Sequence, residues 1–135
     1  LGISQLKDAK KGLKKRNEIA RKYDKSFKNI NKIKSNFFHL NKNFNGIHAY
    51  HLYIIQIENR LEMYNYLKKN NIFTQVHYYP LHLMPYYKNL GYTNGMFPNA
   101  ENYYKKCLSI PIYPSLRKSE QDYIIKKIKN FYEKT

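Results

Sequence analysis

The chain has one cysteine, four arginines among its 25 basic residues, nine acidic residues against them, and no apolar run near the length of a membrane span. Each shortage excludes something. The lone Cys107 rules out an internal disulfide framework, fits a reducing compartment and reads as a small buried residue. Without a membrane-length run or a signal segment at the amino end, the expected setting is the cytoplasm, with no membrane partner. The arginines, Arg16, Arg21, Arg60 and Arg117, are scattered, whereas a phosphate reader concentrates Arg, whose planar fork holds phosphate with two bonds. The formal net charge of +16 is therefore a lysine excess. It accompanies abundant Asn, Ile, Tyr and Phe, all with codons rich in A and T, so genome bias explains it more simply than a basic groove. No specific nucleic-acid partner is expected. A metal is rejected as well: His48 and His51 stand three apart at a strand start, and no Cys or carboxylate completes a tetrahedral set with His77 at the usual spacing.

What is present suffices for one compact domain over 1–135 with a modest core. Leu6, Leu13, Ala20 and Phe27, with Ala9 and Tyr23 nearby, draw an apolar stripe on a long helix over about 1–30. From Asn29 to Gly46 no period holds, and Phe37, Phe38 and Phe44 are expected to anchor a loop. Tyr50 to Ile57 alternates as a strand. Asn59 with Glu62 resembles a capping box, and Leu61, Tyr64 and Leu67 continue a short helix to Asn70 and Asn71. Ile72 to Tyr78 is expected as a second strand. Pro98 opens a helix that runs to Lys106, with Glu101 favouring the helix dipole. Cys107 to Ile110 is expected as a third strand, ended by Pro111. Ser119 with Asp122 is expected to cap a final helix that buries Tyr123, Ile124, Ile128 and Phe131 or Tyr132 and leaves Lys126, Lys127 and Lys129 wet. The fold class is α+β: a small, mostly antiparallel sheet of about three strands packed with helices and preceded by a long helix.

The segment Thr74-Gln-Val-His-Tyr-Tyr-Pro-Leu-His-Leu-Met-Pro-Tyr-Tyr87 crowds two histidines, two prolines and four tyrosines into one strand end and the loop held by Pro80 and Pro85. Scaffolds display ligand-touching residues at such places. His77 and His82 can each donate or accept a hydrogen bond near neutral pH. Tyr79 and Tyr86 can stack on a base or a sugar face, while Tyr78 and Tyr87 read as packing. The bland alternative is a tyrosine-rich strand end filling a small core, with His77 tied to a neighbour. Ile110, Pro111, Ile112 and Tyr113 read equally as core or as pocket lining. Of Tyr103 and Tyr104, adjacent on a helix, one is expected buried and one exposed.

Four segments together carry a resemblance. Leu1-Gly-Ile-Ser-Gln-Leu6 followed by Arg16-Asn-Glu-Ile-Ala-Arg-Lys-Tyr23, then His48-Ala-Tyr-His-Leu-Tyr53, then Thr74 to Tyr87, then Leu108-Ser-Ile-Pro-Ile-Tyr-Pro-Ser-Leu116 with Ser119-Glu-Gln121, resemble in order the carboxy-terminal small domain of the DegT/DnrJ/StrS sugar aminotransferases. Thr74-Gln-Val-His-Tyr and Met84-Pro-Tyr-Tyr look most like the members that aminate a UDP-linked 4-keto-6-deoxy sugar in the pseudaminic acid pathway. The resemblance implies a pyridoxal phosphate cofactor, a nucleotide-sugar substrate, glutamate as amino donor, a homodimer in the full-length protein and a role in bacterial surface-glycan biosynthesis. It makes 1–30 the helix between large and small domains, and makes His82, then His77, Tyr79 and Tyr86, substrate-binding residues.

A Schiff-base enzyme needs a lysine of lowered pKa and a carboxylate facing the pyridine nitrogen. In the family these belong to the large domain, and no lysine here has the serine-rich context that the family uses. No catalytic or cofactor-binding residue is therefore assigned to this chain. It opens on Leu1 inside a helix, which reads as a cut piece of a longer enzyme, inactive alone. The competing readings are a non-catalytic basic binding module, which a salt titration against nucleic acid would reveal, and a gene remnant lacking its large domain.

Overall fold

Apolar residues at helical spacing fold the start of the chain into α1 (Gly2–Phe27) in the computed structural model, which describes residues 2–35 and 48–133. The expected stripe is covered only in its second half. Ala20, Tyr23 and Phe27 are buried together with Ile19, whereas Leu6 is 71% exposed, Ala9 is exposed and Leu13 half-buried. The described residues that line a cleft with Asp8 to Arg16 are Ala49 and the Pro114–Ser115 turn, while farther along the last helix binds α1 through Gln121 Nε2, which donates to the Ile19 carbonyl at 2.8 Å. The loop anchors Phe37, Phe38 and Phe44 lie outside the described residues.

Two strands, β1 (Tyr53–Gln56) and β2 (Cys107–Ile110), pair antiparallel with Tyr53 opposite Ile110 and Gln56 opposite Cys107. The expected strand over Ile72 to Tyr78 supplies only one rung: Gln75 exchanges both backbone hydrogen bonds with Ser109, at 3.1 and 2.8 Å. Both neighbouring rungs are blocked. In antiparallel register the next hydrogen-bonded partners are Pro111 and Cys107. Pro111 has no N–H to donate, and the Cys107 N–H already closes the preceding helix on the Tyr103 carbonyl. At the opposite edge Lys34 forms a similar single rung with Gln56.

The remaining helices are α2 (Arg60–Lys69), α3 (Pro85–Asn89), α4 (Pro98–Lys106) and α5 (Lys118–Glu133), with a 3-10 turn at Leu81–Leu83. The capping box expected at Asn59 does not form, since that residue makes no side-chain cap bond. At the far end of α2, Asn71 takes φ +57°, a left-handed stop that Asn tolerates better than most residues. The cap expected from Ser119 and Asp122 is also corrected. Glu120 accepts the Arg117 N–H at 2.9 Å, and Asp122 pairs with Lys22 of α1. Glutamate three residues on reaches back further than serine can.

Ile55, Leu108, Leu67, Met63, Phe27 and Ile128 lie fully buried where α1, α2 and α5 meet the sheet. On α5 the buried positions are Gln121, Ile124, Ile125 and Ile128, whereas Tyr123 is exposed and Phe131 and Tyr132 are half-buried. Cys107 is buried, which pushes its thiol pKa up. Two tyrosine hydroxyls in this core find acceptors: Tyr53 donates to Asp24 at 2.7 Å, and Tyr23 to the Pro111 carbonyl at 2.9 Å. Burial first, and the Asp24 contact second, raises the Tyr53 hydroxyl above its usual pKa.

Candidate substrate-side site

After the Gln75 rung the chain leaves the sheet, and each candidate side chain is then held by a different element. His77, half-buried, places Nδ1 2.8 Å from Ser109 Oγ, so β2 fixes it through the residue that already bonds Gln75. A serine hydroxyl serves as donor or acceptor, so this contact sets no tautomer. Tyr79 meets the edge of Tyr104 on α4 at 5.2 Å, and the Arg60 guanidinium lies 5.1 Å from the same Tyr104 ring. Tyr103 and Tyr104 are both half-buried, which corrects the expectation that they divide into one buried and one exposed.

His82 points inward from the 3-10 turn. It is 8% exposed, and Nε2 lies 2.8 Å from Glu101 Oε1, itself 6% exposed on α4. The same Glu101 oxygen accepts the backbone N–H of Gly95 at 2.8 Å and of Phe97 at 3.4 Å. Glu101 thus gathers the loop before α4 and the turn carrying His82 onto one atom. The hydrogen bond from His82, then those from Gly95 and Phe97, hold its carboxyl below the usual glutamate range. Gly91 and Gly95 both adopt φ +93°, open to glycine at little cost, and this lets the loop fold back over Glu101.

Tyr86 stands on α3 at 69% exposure, its ring edge-on to Tyr87. From there ring contacts run through Tyr87, Tyr92 and Phe97 to His82, each centroid 4.8 to 6.2 Å from the next. Tyr78, read from sequence as packing, is exposed, while Tyr87 is half-buried. No hydrogen bond or ring contact among the described residues joins any two of His77, Tyr79, His82 and Tyr86. They share one arm of chain without forming one constellation.

Clefts open elsewhere among the described residues. One of about 550 Å³ is lined by Phe73, Pro111, Tyr113 and Tyr123 among others. The second, about 720 Å³, runs along α1 beside Lys11, Lys15, Arg16 and Pro114. None of the four candidates lines either one. Ile110 and Ile112 belong to the core, while Pro111 and Tyr113 face the first cleft. Sequence reasoning missed Glu101, Ser109 and Tyr104, whose partners lie 19 to 32 residues away in the chain. A glutamate in the first turn of the helix that Pro98 opens was the one available signal.

None of the described lysines is buried, and a lysine that holds a pyridoxal group must be desolvated against it. These residues therefore do not fit that cofactor by themselves. Among the described residues no group of His, Cys, Asp and Glu is placed to hold a metal, and no helix is long and apolar enough to cross a membrane.

Residues 1–129 match the DegT/DnrJ/EryC1/StrS aminotransferase family. The chain is 41% identical to the spore coat polysaccharide biosynthesis protein SpsC of Bacillus subtilis, over 96% of this chain and 34% of SpsC. It is 33% identical to the UDP-4-amino-4,6-dideoxy-N-acetyl-beta-L-altrosamine transaminase of Campylobacter jejuni, over 99% of this chain and 36% of that protein. The fold superposes on Helicobacter pylori PseC, an aminotransferase involved in the biosynthesis of pseudoaminic acid, with a TM-score of 0.87 and 28% identity, covering 99% of this chain and 36% of PseC. The chain spans about a third of the length of these relatives.

Proposed function

The chain belongs to the DegT/DnrJ/EryC1/StrS aminotransferase family, and on that premise we propose that it is the substrate-side small domain of a nucleotide-sugar aminotransferase that aminates a UDP-linked 4-keto-6-deoxy sugar. The observation that carries this reading is the end-to-end fit to PseC, which leaves almost none of the chain unmatched. The Campylobacter transaminase, aligned over the same extent, supports the sugar class. The family depends on pyridoxal phosphate, which supplies the electron sink for amino transfer when bound.

The chain's own share is binding and orientation. His82, His77, Tyr79 and Tyr86 contact the sugar and its nucleotide and hold the keto carbon in place, which is positioning rather than proton chemistry. The lysine excess assists capture of the diphosphate. Helix α1 joins this domain to the large one. The working enzyme is a cytoplasmic homodimer that takes its amino group from glutamate and serves surface-glycan synthesis, and the 135-residue chain alone does not turn over. The test is His82→Ala in the full-length enzyme. A raised KM or lowered kcat with the cofactor absorbance intact is expected, and unchanged kinetics would sink the assignment.

A further inference from the structure

We propose that Glu101 is a positioning residue that holds His82 with its proton on Nε2, so that Nδ1 acts as a hydrogen-bond acceptor and selects a hydroxyl or N–H donor of the sugar over a phosphate oxygen. The inference deepens the nucleotide-sugar reading above and its ligand half rests on it.

The argument is one of donors and acceptors. Glu101 Oε1 faces three groups, the Gly95 N–H, the Phe97 N–H and His82 Nε2. Two of them are backbone donors, and an ionised carboxylate only accepts. The imidazole nitrogen on the same oxygen must therefore also donate, which puts the proton on Nε2. In a neutral ring Nδ1 is then the acceptor, the arrangement by which a carboxylate fixes tautomer and orientation in metal-bound and catalytic histidines alike. No described residue hydrogen-bonds Nδ1, and the Phe97 ring, 4.8 Å away, packs against the imidazole. A phosphate oxygen offers lone pairs, not protons, near neutral pH, so it meets Nδ1 lone pair to lone pair. Sugar hydroxyls and an acetamido N–H carry the donors that suit it. His77 makes the contrast: its partner is a hydroxyl that fits either tautomer, so it has no such built-in preference.

Two measurements on the full-length enzyme test this. Nitrogen-15 histidine spectra should show His82 as the Nε2–H tautomer, identified by loss of its signals in His82→Gln, and Glu101→Gln should weaken that preference. An Nδ1–H tautomer or a doubly protonated ring in the wild-type protein would overturn the assignment of Glu101. The second is calorimetry with UDP and with UDP-N-acetylglucosamine as probes. His82→Gln keeps an N–H toward Glu101 but moves the acceptor, now the amide oxygen, off the Nδ1 position, so it should bind UDP-N-acetylglucosamine about tenfold more weakly and UDP as well as wild type does. Equal loss for both probes, or no loss for either, overturns the selection. If wild type binds neither probe, the nucleotide-sugar reading falls and takes the selection with it, while the tautomer result still decides the role of Glu101.

Discussion

Around the sheet, Tyr23, Phe27 and Tyr53 are buried, with Tyr23 stacked on Phe27 and tilted against Tyr53, and the hydroxyls of Tyr23 and Tyr53 each find an acceptor in the core. Between Tyr78 and Phe97 a similar density of rings is left half or fully exposed, passed from one edge contact to the next and moored by Glu101. In the first region hydrophobic burial does the ordering and polar groups adjust to it. In the second a carboxylate and two turn glycines do the ordering and the rings follow. A region with few buried apolar contacts opens at lower free energy than the core.

Substitutions sharpen the contrast. Ile55→Ala, at the fully buried centre of β1, should cost ~3 kcal/mol in denaturant unfolding, the usual loss for a core isoleucine. Tyr53→Phe removes the 2.7 Å donor to Asp24 while keeping the ring, and should cost about 1 to 2 kcal/mol by the same measurement. Glu101→Ala should leave the unfolding midpoint closer to wild type than either, yet raise the rate of limited proteolysis within Gly91 to Phe97 severalfold. A midpoint loss as large as that of Ile55→Ala would erase the distinction between the regions. Acid should act on the same tie. Because hydrogen bonds lower the Glu101 pKa from 4.5 in the folded chain, its contribution is complete above that value and is lost as pH falls through the lowered one. Amide exchange at Gly95 and Phe97 should accelerate over that acid range before exchange in β1 does. Smallest of all, Tyr86→Ala should change stability by less than about 0.5 kcal/mol, since the ring is mostly in solvent.

Much of the frame was legible because it is local. Pro98 at the first turn of α4, the helical period of α5 and the alternation that buries Tyr53 and Ile55 are written in neighbouring residues. What was not legible depends on commitments made elsewhere. The strip from Ile72 has strand composition, but its pairing was decided by a proline and by an N–H already used in the partner strand. Tyr123 looked like a core residue by type, yet the face set by Gln121, Ile124, Ile125 and Ile128 turns it outward. The histidine-rich segment stood out in sequence, and His77, Tyr79, His82 and Tyr86 are where chain order puts them. Their anchors were hidden, because Ser109, Tyr104 and Glu101 belong to later elements that sequence reading had given other roles.

The single rung at Gln75 has a consequence for chains that meet before they are fully folded. A sheet border becomes a template for a stranger's backbone when several donors and acceptors in a row stand open. Here Pro111 contributes no donor and Cys107 has spent its own, so that border of β2 has little left to offer beyond the pair that Gln75 already holds. A lysine-rich chain full of exposed rings thus keeps its fully buried strand from recruiting copies of itself.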